Sequence, residues 1–333
     1  MKIKSFDFRV WYSAVPVFKY FVVLVLLSCL SASGMPAQET QLTVVTLHGK
    51  VRLLSAPGKK TDLKAGKTGW LSTGDRLAGN EEIELSDNAY LALVSASGAT
   101  CELKKPGRYD VRKLAAEFGR GGSDISKKFS NYLLSEMIES PRSREMKYLA
   151  AVVRHSVNLI DAYFPAATAV MDSMVTFRWY KVSGMDRYYF RLINPENNTV
   201  LMREVGDTSL TLNIDQLGLK PDISYKWYVF NPDNENFTSD SCSITTISYS
   251  IKKALLDTLA DLRSGLQDTD SGLNNFILGM FFETNGLYLN ALNFYNSALL
   301  FSPGVEQFNN KYFRFLIRSG MNRRAMEIQK RLE

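Results

Sequence analysis

Apolar and polar positions change period three times along the chain. From 41 to 111 they fall into short runs broken by turn residues at 8–12-residue spacing: Leu42–Leu47, Val51–Leu54, Ile83–Leu85, Tyr90–Val94 and Cys101–Leu103. Between them lie His48-Gly49-Lys50, Pro57-Gly58, Ala65-Gly66, Gly74-Asp75, Asp87-Asn88, Ser97-Gly98 and Pro106-Gly107. Evenly spaced short strands predict a small all-β sandwich or barrel over 40–115. Residues 116–162 read as a connector. Within it Ile125, Phe129, Tyr132, Leu133 and Met137 recur at helical spacing over 124–139, with Ser123 or Asp124 as cap and Pro141 as stop. The β-branched stretch 147–160 predicts one further strand. From 163 to 248 strict alternation returns: Val175, Phe177 and Trp179, then Tyr188, Phe190 and Leu192, then Leu210, Leu212 and Ile214. That is the period of half-buried strands. From 249 to 333 the period becomes 3.6, beginning with the stripe Ile251, Leu255, Leu259, Leu262 and Leu266.

The helical third repeats itself. Gly286 recurs as Gly320 and Ala291 as Ala325, each 34 residues later. Leu278, Gly279, Gly286, Tyr288, Ala291, Tyr295, Ala298 and Pro303 fall where small, aromatic and helix-ending residues are needed for two helices to approach closely. Small side chains allow the approach, Gly286 ends the first helix, Pro303 stops the second, and Tyr295 fills the remaining space. This spacing resembles the tetratricopeptide (TPR) repeat. The second unit, about 306–333, keeps Gly320 and Ala325 but has Phe313 where Gly279 stands in the first, as in a degenerate capping repeat. Solenoids of this kind need about three repeats for a groove, so one good repeat, one degenerate repeat and a preceding helix predict a compact five-helix unit. Such a unit can equally dock on the chain's own β domain.

Both β segments carry resemblances of their own. Gly49-Lys50-Val51, the run Trp70 to Leu77 containing Gly74-Asp75, the strand at Tyr90–Val94 with Gly98, and Pro106-Gly107-Arg108-Tyr109 resemble the FecR-like exported β domain. These are architectural positions, so the resemblance implies fold more than activity. In the later segment Leu219, Pro221 and Tyr225, followed by Trp227 and Val229, resemble the tyrosine corner of fibronectin type III domains. There the ring packs in the core and its hydroxyl ties back to the preceding loop. With Trp179 on an early strand, this implies an immunoglobulin-like, fibronectin type III-like sandwich.

Charge and leader alter the picture next. The net charge is +6, but Lys2, Lys4, Arg9 and Lys19 against Asp7 place half of it in residues 1–37. The rest is too dilute for a nucleic-acid surface. Those 37 residues read as a signal peptide, with a basic start, an eleven-residue apolar run Tyr20–Leu30, then small residues through Ala37. A bilayer span needs about 20 apolar residues; an uncleaved anchor is the alternative reading. Leu26-Leu27-Ser28-Cys29 resembles a bacterial lipobox, which makes Cys29 a lipidation candidate, although Leu27 is bulkier than that motif prefers. Cys101 and Cys242 read as two lone buried thiols, and export would permit a disulfide. Without a CxxC, zinc is not expected.

Chemistry is sparse. The only histidines are His48 and His155, and no HExxH, GxSxG, Walker A or GxGxxG occurs. Glu81-Glu82, Asp257 with Asp261, and Asp268 with Asp270 are paired carboxylates in form only, at turns, on a polar helix face or at a helix start. A non-enzymatic protein with no cofactor and no metal is expected. Tyr180, Tyr189, Tyr228 and Phe230 are read as sheet packing or, alternatively, as a binding face for a sugar ring or a protein. The basic run Lys311, Arg314, Arg318, Arg323, Arg324, Lys330 and Arg331 reads as a solvated helix face, with contact to an acidic partner or anionic lipid headgroups as the alternative. Together these features predict an envelope scaffold that binds another envelope protein, meeting the membrane only through a lipid anchor. Glycan or ligand binding by the aromatic face is the alternative.

Overall fold

The structure, a computed structural model, describes residues 41–54, 69–118, 122–138, 160–266 and 271–332. The leader 1–37 with Cys29, the turns at Pro57-Gly58 and Ala65-Gly66, most of the 147–160 segment, His155, Asp268 and Asp270 lie outside those residues.

The first module alternates between two antiparallel sheets. β1 (Leu42–His48) passes through the His48-Gly49-Lys50 turn into β2 (Val51–Leu54), and the two strands join different sheets. β3 (Arg76–Leu77), β4 (Glu82–Leu85), β5 (Tyr90–Ser95), β6 (Thr100–Leu103) and β7 (Gly107–Asp110) follow, giving orders β3-β1-β5-β6 and β2-β4-β7. Leu42, Val44, Leu91 and Leu93 of one sheet meet Val51, Leu53, Ile83 and Leu85 of the other in one core. α1 (Val111–Phe118) closes an edge through Val111, Leu114 and Ala115.

β5 departs from half-buried alternation, since all six residues are buried. Leu91 and Leu93 enter the module's own core, while Tyr90, Ala92 and Val94 face the helical region. Strands covered on both faces read as continuous apolar runs, and the Tyr90–Val94 sequence has that character. α2 (Asp124–Ile138) lies on the same side. Its Leu133 and Met137 join Val45, Tyr90 and the helices in one core, and Ser126 approaches Gly98 so closely that a Cβ there would sit 2.4 Å from the Ser126 carbonyl carbon.

The second module comprises β8 (Ala162–Phe164), β9 (Thr168–Val170), β10 (Met174–Trp179), β11 (Tyr188–Ile193), β12 (Thr199–Val205), β13 (Ser209–Asn213), β14 (Ser224–Asn231), β15 (Asn234–Thr238) and β16 (Cys242–Thr246). One sheet runs β13-β10-β8; the other runs β12-β11-β14-β16-β9, with β15 on β14. Pairings are antiparallel except β9 with β16. The alternating residues meet as expected: Val175, Phe177, Trp179, Tyr188, Phe190, Leu192, Trp227 and Val229 form one core. Phe190 stacks on Trp227 at 5.7 Å, with Phe177 edge-on to Trp227 at 5.1 Å.

The last region is helical: α3 (Tyr249–Arg263), α4 (Gly272–Thr284), α5 (Tyr288–Phe301), α6 (Glu306–Arg318) and α7 (Asn322–Leu332). α4 is apolar around its circumference and buried from Gly272 to Phe282, the mark of a central helix. Its polar exceptions are satisfied: Thr100 donates to Asn274 Oδ1 at 2.7 Å, and Asn275 Nδ2 donates to the Ser271 carbonyl at 2.8 Å. Of the α3 stripe, Leu259 and Leu262 are buried, Leu255 and Leu266 half-buried, and Ile251 is exposed.

Candidate interaction site

The 34-residue spacing has a structural counterpart. Gly286 and Gly320 both adopt left-handed φ, +71° and +81°. At each, the glycine N–H reaches the carbonyl three residues back (Glu283, Ile317) and the next N–H reaches five back (Phe282, Leu316), at 2.8–3.1 Å. This double bond pattern satisfies the last helical carbonyls and favours glycine at the left-handed position. Leu278, Ala291, Tyr295, Ala298 and Ala325 are buried, Tyr288 is half-buried, and Pro303 is exposed just beyond α5. Gly279 gives the Tyr295 ring its seat: a Cβ there would lie 2.8 Å from Tyr295 Cδ1. Phe313, 34 residues after Gly279, is half-buried. In the second module Tyr225 is buried and its hydroxyl accepts the Lys220 N–H at 2.9 Å; Leu219 is half-buried and Pro221 exposed.

The aromatic residues offered as a binding face divide. Tyr180 follows β10 and stacks on Tyr163 at 4.5 Å, with the Arg323 guanidinium 4.4 Å from its ring centre. Burial, then the Tyr163 and Glu327 charges, push its hydroxyl up to about 12. Tyr189, Tyr228 and Phe230 sit together on β11 and β14, but Phe230 is only 2% exposed. Arg191 lies over it at 4.9 Å and donates to the Tyr228 hydroxyl at 3.1 Å. A guanidinium therefore already occupies ring surface that a sugar would need for stacking.

Part of the basic run departs from the solvated face expected from charge alone, while Arg318, Arg323 and Lys330 stay exposed. Lys311 is buried and bonds Glu136 of α2 at 2.5 Å, with Glu283 at 3.9 Å; Arg318 pairs with Glu283 at 2.7 Å, and the Tyr295 hydroxyl donates to the same carboxylate. Burial opposes ionisation of Glu136, but the Lys311 hydrogen bond and the charges of Lys311, Arg318 and Arg314 outweigh it and hold its carboxyl below the ordinary range. Burial and the Glu283 charge raise the Tyr295 hydroxyl well above its usual range. These cations are recruited because α2, α4 and α6 bring their carboxylates and lysine together, a juxtaposition with no local sequence signal.

Two polar clamps fasten the helical region to the β modules. Glu102 Oε1 accepts from the Leu273 N–H at the start of α4 (2.9 Å), from the Tyr90 hydroxyl (2.5 Å) and from Ser302 (3.4 Å), while Lys104 pairs with Oε2 at 3.1 Å. A carboxylate at a helix N-terminus meets both unpaired N–H groups and the favourable end of the dipole. In the second clamp, the Gly286 carbonyl accepts from the Ala169 N–H and the Thr168 hydroxyl, both at 2.9 Å, and Thr168 Oγ1 accepts the Tyr288 N–H at 2.9 Å. The turn between α4 and α5 is thereby bound to β9.

Away from these clamps a cavity of about 260 Å³ opens between α5, α6 and α7. Asn296, Tyr312 and Arg324 supply its polar lining, and Leu299, Pro303 and Ile328 its apolar walls. Leu300 of α5 is 77% exposed. Glu81 is spent on its own turn, accepting the Ala78 N–H at 2.7 Å, and Asp257 and Asp261 are exposed on α3. Among the described residues no group of three His, Cys, Asp or Glu side chains is placed to hold a metal ion, and no helix is long and apolar enough to cross a membrane.

No protein-family model matches this chain, and no curated protein matches it. Among solved structures it is similar to a crystal structure of FN3tt, with 16% identity over 26% of this chain and 95% of that chain, at a TM-score of 0.19. It is also similar to the apo structure of b-glucuronidase from Ruminococcus gnavus, with 9% identity over 49% of this chain and 42% of that chain, TM-score 0.19. The same enzyme in complex with uronic isofagomine gives 12% identity over 42% of this chain and 35% of that chain, TM-score 0.17. The chain spans less than half the length of the b-glucuronidase. At these scores neither fold nor activity is carried over.

Proposed function

We propose that this chain is a non-catalytic adaptor of the bacterial cell envelope, exported by residues 1–37 and held at a membrane where Cys29 is acylated, which presents its helical unit to another envelope protein. In this reading the first module is a FecR-like sandwich, the second a fibronectin type III-like sandwich, and the C-terminal unit a short TPR-type array. The observation that supports it best is the division of labour on the helical unit. The helical unit is fixed to the β modules through Glu102, Thr168 and the Arg323–Tyr180 contact, while a cavity stays open between α5, α6 and α7 and Leu300 of α5 is exposed. A rigid support beneath an open, partly apolar surface suits recognition of a protein, since preorganisation lowers the cost of binding. Glycan stacking is less well supported, because Arg191 lies over Tyr228 and Phe230 and Arg323 over Tyr180.

The test is fractionation of host cells carrying the tagged full chain, followed by affinity purification from the envelope fraction. A stoichiometric protein partner, lost when Leu300 is changed to Glu, is expected. Recovery of the chain from the cytoplasm, or of no protein partner alongside binding on a glycan array, overturns the adaptor reading.

A further inference from the structure

We infer that the cavity between α5, α6 and α7 is a binding site for a carboxylate joined to a branched aliphatic group, held by Arg324.

The hydrogen-bond inventory of the cavity is lopsided towards donors. Asn296 Oδ1 accepts twice, from the Tyr312 hydroxyl at 2.7 Å and from Arg324 Nη2 at 3.1 Å. Those bonds satisfy the amide oxygen and leave the Asn296 Nδ2 donors without a partner among the described residues. Arg324 is held in place by that oxygen and by the Tyr312 ring, whose centre lies 5.9 Å from the guanidinium carbon. Yet no carboxylate pairs with Arg324 among the described residues, whereas Lys311 and Arg318 in the preceding helix are both paired. Asn309 cannot supply further donors, because its Nδ2 is bonded to the Pro303 and Val305 carbonyls at 3.0 Å. What converges on the open space is a fixed guanidinium with unused N–H groups and one free amide NH2. An acceptor-only group answers that set, and a planar carboxylate matches a guanidinium's fork.

The remaining walls set the rest of the ligand. Leu299, Pro303 and Ile328 are aliphatic, and Ile328 is buried. A volume of about 260 Å³ is below the range of drug-sized sites, which starts near ~300 Å³, so the fit is to one residue-sized group. A free carboxylate beside a leucine-like side chain has two sources, the last residue of another polypeptide or a free branched-chain acid. The site requires neither export nor any particular protein partner, so it is separable from the adaptor reading.

The test uses isothermal titration and amide NMR shifts on the folded full chain. The probes are N-acetyl-leucine, N-acetyl-leucinamide, the tetrapeptide Ala-Ala-Ala-Leu with a free carboxyl end, and inorganic phosphate. The acid is expected to bind about 10-fold or more tighter than the amide, the factor a charge-assisted hydrogen bond supplies, and to shift the Leu299 and Ile328 signals. Arg324→Gln should abolish that preference. Leu299→Gln should weaken acid and amide alike, and it keeps the test open if Arg324→Gln unfolds. Tighter binding of the tetrapeptide than of N-acetyl-leucine identifies a chain terminus as the ligand; equal binding identifies the free acid. Equal affinity for acid and amide, stronger binding of phosphate, or saturation by none of the probes at about 10 mM refutes the assignment.

Discussion

Replacing Gly279 by alanine tests the packing of the helical pair, because it adds one carbon where the structure leaves no room. The new Cβ would lie 2.8, 2.9 and 3.1 Å from Tyr295 Cδ1, Cε1 and Cγ. Carbon atoms pack at about 3.5–4.0 Å, so ring and helix must separate by about 0.7 Å. The ring has little freedom to yield. It is fully buried, with Phe276, Phe315 and Tyr312 centred 5.5, 5.1 and 6.2 Å away, and its hydroxyl is held by Glu283. Overpacking costs about 1–3 kcal/mol, and disturbing a hydrogen bond to a charged group adds up to about 1.5–3 kcal/mol. Alanine in place of mid-helix glycine returns about 1 kcal/mol. A net destabilisation of about 2 kcal/mol is expected, which lowers the Tm by about 4–8 °C when the helices melt together with the β modules they share a core with, at about 2–4 °C per kcal/mol for a cooperative unit above about 150 residues. The assay is chemical and thermal denaturation of Gly279→Ala in two backgrounds, native and Tyr295→Leu. Without the ring the alanine should be neutral or stabilising by up to about 1 kcal/mol. Equal destabilisation in both backgrounds would refute the steric argument.

Two other outcomes follow from the charged and buried groups. Glu136 has a carboxyl held below the ordinary range in the folded chain, so its contribution is complete above the unfolded value and fades as pH falls through the folded one. The stability gap between wild type and Glu136→Gln should therefore be constant near neutrality and close as the pH falls below the ordinary glutamate range of about 4.3; a gap that persists or widens in acid contradicts the Lys311 pairing. Cys101 and Cys242 are free and buried, and burial pushes both thiols up to about 12, aided by the charges of Glu117 and Asp240 respectively. Both should stay silent towards a thiol reagent at pH 8 until denaturant is added, and rapid labelling of either in the native chain would count against its burial.

Much of this architecture was legible where the signal is local. Alternation in Met174–Trp179 and Tyr188–Ile193 located strands because one face is core and the other is not. The spacing from Gly286 to Gly320 located two equivalent helix ends because left-handed φ favours the same residue at both. Less obvious signals pointed to docking: β5 is apolar on both faces and α4 around its whole circumference, which makes sense only if sheet and helix cover one another. Long-range polar matches had no such trace. Glu102 reaches Leu273 across 171 positions and Thr168 reaches Tyr288 across 120. Reading the whole basic run as solvated missed Lys311 and Arg318 for the same reason, since the carboxylates that pair with them lie on other helices. The aromatic face hid its cover in the same way. Alternation put Tyr228 and Phe230 on the outer side correctly, but it could not show that Arg191, one strand over, lies across them.

The clamp at Gly286 has a consequence for how the molecule is made. Thr168 finds its acceptor only after the chain has turned between α4 and α5, and Val45, Tyr90, Ala92 and Val94 find their cover only when those helices exist. On a ribosome that adds about 5–20 residues per second, both β modules emerge several seconds before the helical unit. Throughout that interval they carry an uncovered apolar sheet face. The nascent chain must therefore be shielded until its final 85 or so residues arrive, and a stop codon placed before α4 would leave behind a sticky fragment rather than a smaller working protein.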